Sequence, residues 1–213
     1  MTDRVKRAYD APVRQRRASE ARTRMLNAGR RRFLRDGFAA TTMPAIAADA
    51  GVSVQLLYKT FANKPGLLKA LFDVAVVGDA HATPLGERES VRAVIAEPDP
   101  RRKIEMFAAL CAEIVPRAAP IQLLAREAAG TDPEIAAIYA QMRSERLTGF
   151  TAFAAHLEEH QYLSSEVSVS AAADLLWTYN SPELYELLVL ERRWSIENYQ
   201  AHIAIAVCAT LLR

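Results

Sequence analysis

Residues 23–72 read TRMLNAGRRRFLRDGFAATTMPAIAADAGVSVQLLYKTFANKPGLLKALF, and their spacing decides the fold. A helical period begins near Ser19 and aligns Met25, Leu26, Gly29, Phe33 and Leu34 before Asp36-Gly37 ends the helix. Thr42 is placed to cap a short second helix over Met43–Ala50, whose Pro44 sits in the first turn, where proline is tolerated. Gly51-Val52-Ser53 then makes a tight turn, and Ser53 caps a third helix over Val54–Phe61. Asn63 caps a fourth, with Pro65 in its first turn, the apolar stripe Leu67, Leu68, Leu71, Phe72 and Ala75, and Gly78 at its end.

Working outward, residues 1–17 are polar, basic and without pattern, and are expected to form a flexible arm ahead of a domain spanning 18–79. The segment 79–100, with Pro84, Gly86, Pro98 and Pro100, marks the boundary and allows a short helix over 88–96. A second domain, 80–213, follows. Ile104, Phe107, Ala108, Cys111 and Val115 trace a helix that should stop at Pro116, and Pro120 should open another that ends at Gly130. Asp132-Pro133 begins a long helix bearing Ile135, Ile138, Tyr139, Met142, Arg146, Gly149, Phe153 and Leu157 on one face, where Arg146 must snorkel or pair. Segments 168–179 and 182–192 and a last helix opened by Ser195 complete an all-α chain, since no stretch alternates with period two.

Hydrophobic residues make up 51% of the 213 and charged residues 24%, a globular balance. No uninterrupted run of 18 apolar residues appears, so no membrane span is expected, and the basic N-terminus lacks the apolar stretch of a secretory signal. Cys111 and Cys208 sit among apolar residues and are expected as free thiols in a reducing cytoplasm. The net charge of +2 is unevenly spread: residues 1–79 hold 15 Lys and Arg against 7 Asp and Glu, and the remainder 12 against 18. A basic segment on an acidic body suits a nucleic-acid-binding module joined to a regulatory one, although an anionic membrane would attract the same arm.

A third helix set by a tight turn against a second is the geometry that places a short helix in the major groove. Leu57 and Phe61 are spaced to face inward, which leaves Val54, Gln55, Tyr58 and Lys59 outward. Gln55 suits a bidentate pair with adenine, Val54 or Leu56 a thymine methyl, and Tyr58 and Lys59 phosphates. Thr42 and Lys64, at helix starts, add phosphate contacts. Two ordinary packed helices would show much of the same apolar spacing.

This stretch resembles the DNA-binding domain of the TetR family of bacterial repressors, through Gly37, Thr41-Thr42, Ile46-Ala47, Ala50-Gly51-Val52-Ser53, Leu57-Tyr58, Phe61, Lys64 and Leu67-Leu68 in one register. Less distinctly, the helix lengths of the second half and the stretch from Leu175 to Trp194 resemble an actinobacterial-type branch. The resemblance implies a homodimer made by the last two helices, a palindromic double-stranded operator, and a small-molecule effector in the C-terminal domain. Carried over by position, Thr42, Ser53, Tyr58 and Lys64 contact phosphates, and Val54, Gln55 and Lys59 face the groove. Three residues depart from the family pattern: Gln55 where many members have Gly, Thr60 where many have His, and Arg32 in a usually apolar place.

Effector-cavity residues are less sharply marked. Phe107, Cys111, Gln122, Leu123 and Tyr139, with Met142, Phe153, Trp177 and Tyr179, have suitable chemistry, and core packing accounts for most of them equally well. Trp177 and Tyr185 also suit a dimer seam. His156-Leu157-Glu158-Glu159-His160 matches the H-x-x-E-H pattern of inverted zinc proteases, but no third ligand is specified, and neither a metal nor a cofactor is expected. No nucleophile elbow, phosphate loop or dinucleotide fingerprint appears, so the chain is expected not to be an enzyme. The competing reading is a helical interaction or sensor protein that uses its basic arm on RNA or membrane without reading sequence.

Overall fold

The computed structural model describes residues 3–78 and 84–213, the first helix by its backbone alone as far as residue 13. Every named element among the described residues is helical; the one β-type pairing is the isolated bridge Leu163–Leu212. The chain divides into two units, Met1–Leu71 and Phe72–Arg213. The division falls inside a helix rather than in the Pro- and Gly-containing segment that follows it.

In the first unit, α1 (Asp3–Ala40), α2 (Met43–Ala50), α3 (Val54–Phe61) and the start of α4 (Lys64–Val77) close around Met25, Leu26, Phe33, Ile46, Leu57, Leu67 and Leu68. Each such side chain contributes about 1.5–3 kcal/mol on burial. α1 starts at Asp3, so residues 3–17 carry helical backbone rather than an unpatterned arm; their Arg, Lys, Ala and Gln are good helix formers. Residues 1 and 2 lie outside the described residues. Gly37, at φ 80° and ψ 166°, breaks α1 where Asp36-Gly37 predicts its stop, and three more helical residues follow. Arg32 pairs rather than snorkels: Nε and Nη2 donate to the two oxygens of Asp49 at 2.6 and 2.9 Å, tying α1 to α2.

The second unit contains α5 (Glu89–Ala96), α6 (Pro100–Ala129), α7 (Pro133–Glu159), α8 (Val169–Tyr179), α9 (Pro182–Tyr185) and α10 (Ile196–Leu211). α6, α7, α8 and α10 enclose a core that includes Ile104, Phe107, Cys111, Phe153, Leu157, Leu176, Tyr199 and Val207. Two expected helices are one: α6 runs through Pro116 and Pro120 without a break. Each proline removes one hydrogen bond but has a helical φ, and burial of Val115, Ala118, Ala119 and Ile121 holds the backbone helical across them. α6 also has the length and composition of a membrane span, with mean hydropathy 1.3 over its most apolar window, yet half of that window is buried inside the unit. After α9 the expected helix widens into a π-helical turn, Glu186–Glu191, closed by the Arg192 N–H donating to Leu187 O at 3.0 Å. Leu184, Tyr185, Leu188 and Val189 thereby face the core while Leu187 and Leu190 stay exposed. Cys111 and Cys208 are free thiols, and burial pushes both upward, Cys111 to about 12.

Candidate nucleic-acid interface

α2 and α3 meet across a turn whose geometry follows from three residues. Gly51 takes φ 62° and ψ 42°, a left-handed conformation that costs glycine little, and Val52 N–H closes back on Ala47 O at 3.1 Å. Ser53 is extended, and its Oγ accepts from Leu56 N–H at 3.1 Å. Thr42 does the same for α2, accepting from Ala45 N–H at 3.3 Å. Both hydroxyls use a lone pair on their helix and keep the O–H to donate outward, for instance to phosphate.

α3 is amphipathic in the required sense. Leu57 and Phe61 are buried, and the Arg22 guanidinium lies 4.8 Å from the Phe61 ring centre. Gln55, Leu56, Tyr58 and Lys59 are exposed, whereas Val54 is half-buried at the start of the helix. Tyr58 and Leu56 are 46% and 39% exposed, large apolar surfaces for a short helix to turn to solvent. Thr60 Oγ1 donates to Leu56 O at 2.8 Å and is thus occupied by its own helix.

The structure brings Thr42, Ser53, Gln55, Tyr58 and Lys59 to exposed positions around one turn and places Lys64 differently. The Lys64 ammonium donates to Phe38 O at 2.9 Å and Thr41 O at 3.1 Å and stands 4.2 Å from the Phe38 ring centre. It therefore fastens the start of α4 to the end of α1. Gly66 follows because a Cβ there would collide with Phe61 O.

In the second unit a cleft of about 440 Å³ lies between α6, α7 and the α8–α9 corner. Of the residues expected in a cavity, it collects Gln122, Tyr139 and Trp177. Phe107, Cys111 and Phe153 instead belong to the core, where the two rings stack at 4.7 Å, and Met142 is fully buried. Leu123 and Tyr179 are half-buried outside the cleft lining, and Tyr185 packs on Tyr199 in the core at 6.0 Å. The cleft's charged walls, Arg126, Arg143, Arg146 and Glu183, escape apolar patterning; the signal present in the sequence is Arg146 standing on the apolar face of α7 with Arg143 one turn before it.

His156, Glu159 and His160 offer ligand atoms within 4.8 Å of one another. The Lys103 ammonium, itself buried and bound to Val94 O and Ile95 O, stands 3.1 Å from His156 Nε2. That lone pair is already used by a protein cation, an arrangement that opposes a metal ion.

A short capped helix set by a glycine turn against its predecessor, with a polar and aromatic face turned to solvent, defines a helix-turn-helix DNA-binding module. Residues 25–71 match the family model described as "Bacterial regulatory proteins, tetR family". The chain carries the DNA-binding segment of the TetR family in the fold of TetR-family regulators. A TetR-family transcriptional regulator from Rhodococcus sp. superposes with TM-score 0.68 at 18% identity, over 91% of this chain and 99% of that one. A transcriptional regulator from Saccharomonospora viridis in complex with choline gives 0.68 at 16%, over 92% and 99%. The fatty acid degradation regulator FadR from Bacillus halodurans gives 0.69 at 15%, over 87% and 93%. A search of curated proteins returned no match.

Proposed function

We propose that the protein is a homodimeric transcriptional repressor that reads a palindromic operator through α3 and releases it when a small molecule occupies the C-terminal unit. The observation that carries this reading is the outward face of α3, where Gln55, Tyr58 and Lys59 stand exposed around a helix whose opposite face is locked by Leu57 and Phe61. Gln55 reads adenine, the half-buried Val54 reaches a thymine methyl, and Thr42, Ser53 and Tyr58 hold phosphates. Lys64 acts one step back, by fixing α4 on the loop before α2. The excess of basic residues in the first 35, 12 against 3, adds salt-sensitive affinity.

Self-association supplies the second half-site. On α10 the residues Ala201, Ile205 and Ala209 form an exposed stripe, and Ile205 is 69% exposed. Paired with the exposed Leu187 and Leu190, it is the kind of apolar surface a dimer covers. Two copies of α3 then meet successive major grooves about 34–36 Å apart. One similar structure is a complex with choline, a precedent for a small molecule in this fold. Such a ligand relieves repression by binding better to a dimer whose spacing misses the grooves. A repressor of this kind works in the cytoplasm and acts by binding, without catalysing a reaction.

The test is selection of bound fragments from a random duplex pool by the purified protein at about physiological salt. An enriched palindrome is expected. Binding without any enriched sequence contradicts the reading and leaves a charge-driven binder of RNA or membrane.

A further inference from the structure

Three arginines converge on the cleft of the second unit, and only one carboxylate, Glu183, faces them among its lining residues. Glu183 is committed elsewhere: with Glu186 it pairs Arg126, at 3.4 and 2.8 Å, and it accepts from Tyr139 Oη at 3.3 Å. Arg143 and Arg146 have no carboxylate within ion-pair distance among the described residues; their guanidinium carbons lie 5.1 and 4.7 Å from the Trp177 ring centre. Arg146 Nη1 donates to Asn180 O, but its Nε is buried without an acceptor. On the same cleft Gln122, 4% exposed, holds its amide Nε2 buried and likewise without an acceptor.

Two buried donors without partners and two guanidinium groups without a direct ion pair thus border one concavity, with Glu183 acting on Arg146 only through space. Solvent answers the exposed Arg143, whereas the half-buried Arg146 is answered by water only in part. The Trp177 and Tyr139 rings and Pro182 supply an apolar wall beside them. The volume lies in the range of small-molecule sites. We infer that this cleft binds a small organic carboxylate, its anionic head held by Arg143, Arg146 and Gln122 and its apolar or aromatic body laid against Trp177 and Tyr139. Arg126 and Glu183 form the neutralised rim. Burial pulls Arg146 down to about 10, the direction that a bound anion reverses. A quaternary ammonium is disfavoured here because its charge would stand beside the guanidinium groups of Arg143 and Arg146.

The assignment rests on the effector reading of the C-terminal unit but is tested apart from it. Trp194→Phe leaves Trp177 as the chain's one remaining tryptophan, so its emission reports on the cleft directly. The full-length protein is titrated with 4-phenylbutyrate and decanoate, with their primary amides and with choline. The acids are expected to change Trp177 emission saturably and to raise the melting temperature. The amides should bind at least about tenfold more weakly, and choline should give no response. Arg143→Gln, at an exposed position, should weaken the acids about tenfold; Arg146→Gln should do the same if it folds. Equal binding of acids and amides, an unchanged Arg143→Gln, or no response to either acid up to about 5 mM overturns the assignment. Should the acids bind with this selectivity yet leave affinity for the selected duplex unchanged, the carboxylate site stands and the effector reading fails.

Discussion

Ala62 follows the last residue of α3 with φ 63° and ψ −53°, and Asn63 N–H donates to Phe61 O at 2.7 Å across it. This is a strained γ-turn, and a side chain beyond hydrogen makes it costlier. Ala62→Gly is therefore expected to stabilise the fold by up to about 1 kcal/mol, read as a rise of a few degrees in melting temperature. An unchanged or lower value would show that the turn carries no strain. At this scale the sequence discloses caps and turns well, because Thr42, Ser53, Asn63 and Asp132 act through their own neighbours. It discloses poorly what a long side chain does at a distance. Lys64 stands at a helix start, where phosphate is the natural partner, yet it reaches back 26 residues to Phe38 O. Arg126 finds Glu186 60 residues away, and no local spacing announces that pair.

The elements were legible where capping and periodicity agree. Thr42, Gly51, Ser53 and Gly78 bound α2, α3 and α4 at the residues observed, so the bounds of α3 are legible in the sequence alone. They were misread where tertiary burial overrides a local breaker, as at Pro116 and Pro120 in α6. α5, α6 and α7 are joined through one polar node, in which Lys103 of α6 binds the last carbonyls of α5 and faces His156 of α7. Glu159 and His160 are the other titratable groups near that histidine on α7, and the Tyr162 ring lies 5.7 Å from the His160 ring. Burial first, then Lys103 and His160, hold His156 below its ordinary value of 6.5. The unfolded chain takes up that proton as pH falls through about 6.5 while the folded chain resists it, so stability drops as the solution is acidified. Urea unfolding at pH 7.5 and 5.5 should show this loss, and His156→Gln should reduce it. An equal loss in the variant would remove His156 as its source.

At the scale of the molecule the account requires two copies. Ile205→Asp places a charge in the apolar stripe of α10 at a position that makes little internal packing. The variant should keep its helical signal and sediment as a monomer, and lose at least about tenfold in affinity for a two-half-site duplex. A dimer of undiminished stability would move the seam elsewhere. The proline-containing segment does not mark where the two units divide, which is inside α4, and the cleft was not readable either, because its walls come from side chains on α6, α7, α8 and α9 that only the folded unit assembles.

The most direct test of the central claim, that α3 reads base sequence, is to repeat the random-duplex selection with Gln55→Ala. The account predicts that preference disappears at one position in each half-site, a loss of about 1–3 kcal/mol of discrimination there, while the other positions and the half-site spacing persist. An unchanged preference at every position would show that Gln55 does not face the bases and would contradict the recognition geometry proposed for α3.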